Sequence, residues 1–283
     1  MKLIIGFIIV TGSVIGGFTL SNGEILALWQ PYELLIIGGA AFGAFVIANP
    51  PSVIMEVFKQ ITALLTGSKY NKSLYMDLLA LLYELFGKAR KQGLMAIEDD
   101  IEDPQSSEIF QRYPRILKDS HALHFIVDSM RVVIGGGVDS FAMDNLMTLE
   151  IETHEEEAHA PANAVHNVAE ALPGFGIVAA VLGIVITMSH LDGPAEEIGY
   201  HVAAALVGTF LGVLLAYGFV GPISSALEKR ALEQGKFLEC IKACILANQQ
   251  GYSPQIAIEF GRKTMFTQLR PSFEELEQHV KGT

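Results

Sequence analysis

The residues whose types and spacing could do chemistry are two prolines, a threonine and two opposed runs of charge. Pro173 lies near the start of ALPGFGIVAAVLGIVITMS, which has no charged side chain between Leu172 and Ser189. Pro222 closes a second apolar run, AALVGTFLGVLLAYGFVGP, which contains Thr209 and Tyr217. A proline inside a helix frees a backbone carbonyl and creates a bend that can shift. Neither run has a group near its middle that could carry an ion. Two helices with small faces and a proline at each boundary could instead line a polar path around a carboxylate supplied by another protein. Thr209 has two readings: it bonds its own helix backbone, or it faces that path. Gly208 and Gly212 form a GxxxG pair, which by itself signals close helix packing.

The charges form a second candidate. Lys88, Arg90 and Lys91 are followed by Glu98, Asp99, Asp100, Glu102 and Asp103. One reading is a solvated helix turn with loose ion pairs, each worth little. The other is a docking surface, where opposed patches set a partner's orientation and on-rate.

Other chemistry finds no support. His154, His159 and His166 lie near Glu155–Glu157, but a separation of five is awkward for two ligands on one helical face, and no HExxH occurs. The GGG at 135–137 reads as a loop or hinge. With no P-loop, GxSxG or dinucleotide fingerprint, the sequence predicts no enzyme, no metal site and no cofactor. Cys240 and Cys244 share a helical face and read as reduced, packed thiols.

The elements that must position these residues are membrane helices. The 283 residues are 51% hydrophobic, with a mean hydropathy of +0.38. That is too apolar for an ordinary soluble domain. The net charge of −12 excludes nucleic acid as a partner. Four segments are long enough to span: Leu3–Leu20, Leu34–Met55, Leu172–Ser189 and His201–Leu227. The first has the look of a signal peptide, but its long apolar run, missing cleavage site and close second span favour an uncleaved helix.

Lys and Arg are absent from the loops Ser21–Glu33 and His190–Tyr200. The positive-inside rule then puts both termini and the long middle segment in the cytoplasm. The expected fold is all-α: four transmembrane helices, a large helical cytoplasmic insert and a cytoplasmic C-terminal helix. Residues 1–50 form the first pair of spans with a short external loop. Residues 51–170 form the insert, 171–223 the second pair and 224–283 the tail. The insert predicts a helix over about Ser73–Arg90, a break at Gly93, a short acidic helix, and two further helices. The latter of these leads straight into the third span. The tail continues the fourth span as an amphipathic helix.

The motifs ALPGFGIVAAVLGIV, ALVGTFLGVLLAYGFVGPISSALE and EIETHEEEAHAPANAV resemble the MotA stator subunits of the bacterial flagellar motor, within the wider family that includes TolQ and ExbB. The insert GKARKQGLMAIEDDIEDP looks like that family's rotor-facing segment, and the likeness covers essentially the whole chain. It implies a pentameric ring around a dimer of a MotB-like partner whose single membrane aspartate carries the ion. Pro173 and Pro222 match the family's two coupling prolines. Thr209 matches the threonine facing the ion site, and Tyr217 lies in the same motif. Arg90 and Glu98 match the charged pair that engages the rotor protein FliG, which favours the docking-surface reading. Sodium-driven relatives carry a second threonine where Ala180 stands here. A sodium ion needs several oxygens in place of its hydration shell, so Ala180 predicts proton coupling. The resemblance implies a multi-pass protein of the bacterial inner membrane. The competing readings are a TolQ- or ExbB-like energiser of envelope transport, a solitary carrier or channel, and a membrane scaffold without ion flux.

Overall fold

A computed structural model describes residues 2–189, 192 and 194–282 of the chain. Among them there are helices and no strand, and four helices are long and apolar enough to cross a membrane. His190, the first residue of the second expected external loop, lies outside the described residues.

The chain divides into two compact units. The first comprises Met1–Gly67 and Glu157–Arg230, and the second Ser68–Glu156 and Ala231–Thr283. These boundaries differ from the expected breaks at residues 50, 170 and 223. Residues beyond each apolar run still pack with it, because helix faces continue past the point where composition turns polar.

In the first unit, α1 is Lys2–Leu20 and α2 is Pro31–Ala48. The second span was expected to run Leu34–Met55, but it stops at Ala48. Asn49 is extended, with φ −126° and ψ 140°, as a residue before proline prefers. Its side-chain amide donates to the Phe45 carbonyl at 2.7 Å and caps the helix end. Pro51 then starts a separate amphipathic helix, α3 (Pro51–Leu64). Val57 of α3 is buried in one cluster with Phe45, Ala162, Ala164, Val165 and Leu227.

The second unit begins with α4 (Lys72–Gln92), capped by Asn71, whose side chain accepts from the Leu74 amide at 3.0 Å. Gly93 stops α4 at φ 91°, a conformation that favours glycine. Short helices follow: α5 (Glu98–Glu102), α6 (Glu108–Gln111) and α7 (Pro114–Leu117). Then comes α8 (Ser120–Gly135), ended by Gly136 and Gly137, both at positive φ. The core is large: Tyr75, Leu78, Leu79, Leu82, Phe86, Phe110 and Phe237 are all fully buried within it.

The helix α9 runs from Ser140 to Ser189 without a break, as expected, and holds both Pro161 and Pro173 in its interior. The last span is less simple. α10 (Ala195–Leu214) passes into a π-helical turn, Leu215–Val220, before α11 (Gly221–Gln249). Two further helices, α12 (Pro254–Thr264) and α13 (Phe273–Lys281), complete the second unit. Cys240 and Cys244 are buried there, with the Cys240 thiol donating to the Gly261 carbonyl at 3.3 Å. Burial pushes the Cys244 thiol well above its ordinary pKa.

Candidate functional site

The candidate ion path is built from small residues. A Cβ on Gly212 would fall 2.7 Å from the Leu172 carbonyl oxygen and 2.9 Å from the Gly176 Cα. A Cβ on Gly176 would meet the Gly208 carbonyl at 3.0 Å and the Thr209 Cα at 3.4 Å. At the next level Gly208 faces Ala179, where the hypothetical contact is 3.2 Å, and Gly183 faces Ala205 at 2.8 Å. The backbones of α9 and α10 therefore touch over two to three turns. The Gly208–Gly212 pair is used as a packing motif, with Gly176 as its counterpart. Apolar gain cannot drive such contact in lipid, so close approach and dispersion supply it.

This packing sets three sequence-predicted residues, Pro173, Ala180 and Thr209, at or next to the contacts of one helix pair. The residue before Pro173, Leu172, contacts Gly212. The Ala180 amide lies 3.5 Å from the Cβ position of Gly208. Thr209 follows Gly208 directly. Thr209 is half-buried, and its hydroxyl makes no hydrogen bond among the described residues. It does not bond its own helix backbone, the first of its two sequence readings. Thr187 on α9 does, donating to the Gly183 carbonyl at 2.8 Å. The Thr209 oxygen therefore remains available to a partner.

Tyr217 and Pro222 are placed differently. Tyr217 is 73% exposed on the π-helical turn, while its neighbour Ala216 is buried with Ile37, Ala41, Leu172 and Ala179. Pro222 is exposed in the first turn of α11. Two residues on, the Ser224 hydroxyl donates to the Ala162 carbonyl at 3.0 Å, in the turn of α9 that contains Pro161. Sequence reasoning missed the π-helical turn. Its physical basis is visible in retrospect: Pro222 has no N–H and its ring would clash with the carbonyl four residues back. Widening the turn so that Gly221 N–H reaches the Ala216 carbonyl relieves that clash.

The charged patch resolves into committed and uncommitted groups. Lys88 pairs with Asp100 at 2.7 Å, and Asp100 also accepts from the Ser107 hydroxyl at 2.6 Å while buried. Arg131 grips Glu102 with two bonds of 2.8 and 3.0 Å. That guanidinium holds the Glu102 carboxyl below its ordinary value. Asp103 accepts from Ser106 at 2.6 Å. Arg90, Lys91, Glu98 and Asp99 are exposed and take no ion-pair partner among the described residues. Arg90 and Lys91 sit in the last turn of α4, where a cation suits the helix dipole. Glu98 opens α5 in the first turn, where an anion does. Both predicted docking residues are thus presented on fixed helix ends.

The histidines do not converge. His154 packs against His121 with ring centroids 4.6 Å apart and the rings tilted by 49°, and it bonds Gln234, while His166 pairs with Glu170 at 3.3 Å. Among the described residues no cluster of three or more His, Cys, Asp or Glu could hold a metal ion.

The sequence matches two family profiles: motility protein A N-terminal over residues 4–93, and the MotA/TolQ/ExbB proton channel family over 117–239. It is 50% identical to motility protein A of Salmonella typhimurium over 282 residues, 100% of this chain and 96% of that relative. It is 38% identical to the chemotaxis protein LafT of Vibrio parahaemolyticus, with 98% of each chain covered. Among solved structures it is similar to the flagellar MotAB stator complex from Bacillus subtilis, at 25% identity and a TM-score of 0.73 over 97% of each chain. The C. jejuni MotAB structure shares the fold at 20% identity, with a TM-score of 0.77 over 94% of this chain and 96% of that one. On its sequence, its fold and its charge-free, glycine-packed span pair, this chain belongs to the motility protein A (MotA) family.

Proposed function

We propose that this chain is a stator subunit of a bacterial flagellar motor. With a MotB-like single-span partner it forms a proton channel that turns ion flow into torque on the rotor. The observation that carries this reading is the α9–α10 pair. Over residues 172–189 and 202–214 it is backbone-tight and without a charged side chain, Pro173 and Pro222 lie at its boundaries, and Thr209 carries a hydroxyl with no hydrogen bond among the described residues.

In this reading the ion-carrying group is the partner's membrane aspartate. A proton arriving from outside neutralises that carboxylate and removes the cost of a charge in a low-dielectric site. Neutralisation changes which packing of the α9–α10 pair is favoured, and Pro173 and Pro222 let the helices respond. The driving force is about 2.3 kcal/mol per charge for each 100 mV, plus any pH difference. Ala180 supports the proton over sodium because it adds no side-chain oxygen to the site. The subunits form a ring, a pentamer around a partner dimer, in the bacterial inner membrane with both termini cytoplasmic. Arg90 and Glu98 engage FliG through complementary charge. No enzymatic step and no bound cofactor enters the cycle.

The test is complementation. Non-motile cells lacking their own stators receive this chain together with a one-span protein bearing a membrane aspartate and a peptidoglycan-binding tail. Restored swimming is the expected result. A complex that assembles in the membrane yet restores no motility would contradict the reading and favour a TolQ- or ExbB-like energiser.

A further inference from the structure

Glu33 breaks the charge-free pattern of the spans. The sequence suggested an acid of the external loop Ser21–Glu33. The structure places it inside α2, within the apolar stretch Ile25–Ala48. Its Cγ lies 3.6 Å from the position a Cβ on Gly208 would take, so the side chain lies against the small-residue face of α10 at Gly208, the residue before Thr209. One carboxyl oxygen, Oε2, is closed off from solvent and has no hydrogen-bond partner.

A first-turn acid is ordinary in a helix, because the dipole there favours negative charge. Such acids normally keep their oxygens on water or on backbone N–H groups. A carboxyl with a buried, unpartnered oxygen within an apolar span is costly, and its default explanation is function. Few other titratable groups face it. His201 lies two turns outward from Gly208 on the same side of α10, half-buried. The exposed acids Glu196 and Glu197 lie in the first turn of α10. Tyr32 is exposed on α2, and Glu24 precedes the short helix Ile25–Leu28. From α9, Ala179 and Ala180 approach Gly208 and bring no charge.

We propose that Glu33 is a proton-collecting carboxyl on the outer side of the ion path. Its carboxylate accepts a proton from hydronium on the outer aqueous side, leaving water. The resulting acid passes that proton, through water, to the partner's carboxylate near Thr209, and Glu33 returns to the anion. No electron moves and no other reactant is needed. The inference rests on the proton-driven reading and on the orientation given above.

The test uses Glu33→Gln and Glu33→Asp in the full complex, in cells lacking other stators. Motor speed is followed as external pH is stepped from mildly acidic to mildly alkaline at constant internal pH. A collecting group matters most where protons are scarce. The glutamine variant is therefore expected to turn severalfold slower at alkaline external pH and to approach normal speed at acidic pH. The aspartate variant is expected to recover most of the alkaline speed. Normal speed of Glu33→Gln throughout, or slowing by one factor at every pH, would overturn the inference. So would an aspartate variant as slow as the glutamine one, or a glutamine variant that fails to accumulate with the partner, since the carboxyl would then be structural. Those results leave the proton-driven reading intact. An unaltered protein that needs sodium, or that turns in the presence of a protonophore, would overturn both.

Discussion

The two units of this chain meet their surroundings with opposite surfaces. The Ser68–Glu156 and Ala231–Thr283 unit buries large side chains such as Leu78, Leu82, Phe86 and Phe237 and shows charge outside. The other unit buries Ala179, Ala205, Gly208 and Gly212, and exposes Ile177, Val178, Val181 and Val185. In water, removing apolar area drives packing, so the largest residues belong inside. In lipid that gain vanishes between helices, so the smallest residues belong at the contact and the largest can face outward. The same chain thus contains a bulk-packed core and a backbone-packed pair.

Substitutions should separate these two modes. The largest expected effect is Gly212→Leu. A Cβ alone would sit 2.7 Å from the Leu172 carbonyl, which is backbone and cannot swing away. We expect the span pair to be forced apart, with no complex accumulating in the membrane and no motility, read by co-purification with the partner. An assembled, working variant would mean the backbones do not approach so closely. Next comes Phe86→Ala in the other unit, where a fully buried ring is removed. It should cost about 3–5 kcal/mol, read as loss of hydrogen-exchange protection confined to the helices of that unit.

Pro173→Ala should act on function while sparing stability. It restores a backbone N–H that can bond the Ala169 carbonyl, a change the helix tolerates. We expect normal assembly and no rotation; a motor that turns normally would remove the proline's coupling role. The smallest structural effect belongs to Arg90→Ala, at an exposed site without an ion-pair partner. Its stability cost should stay within about 0.5 kcal/mol. Torque should nevertheless fall, and a charge reversal at Arg90 should be rescued by the opposite reversal on the rotor protein. Lys88→Ala gives the contrast, because it strands the buried Asp100 and should loosen the turn that presents Glu98.

Much of this was legible in the sequence. Apolar run lengths gave the spans, the glycine at 93 gave the break after α4, and the continuous periodicity into the third span gave the unbroken α9. The role of Gly208 and Gly212 was readable as packing, though their counterpart Gly176 was not, since pairing across helices is a tertiary fact. The end of α2 at Asn49 was missed because hydropathy continues smoothly through Pro50 and Pro51 into an amphipathic helix. The π-helical turn was missed because its cause, the Pro222 ring, acts on backbone several residues earlier. Pattern also could not show which charges were already paired. Lys88 and Arg90 look alike in sequence, but only Lys88 has an acid folded against it. Glu33 was misplaced because an acid at a span boundary reads as external until its packing against α10 is seen.

The measurement that most directly tests the central claim is rotation of tethered cells carrying only this chain and its one-span partner. Sodium is withdrawn first, and a protonophore is added second. Rotation that persists without sodium and stops with the protonophore is the predicted result. Rotation that stops when sodium is withdrawn, or that continues after the protonophore, would contradict a proton-driven stator.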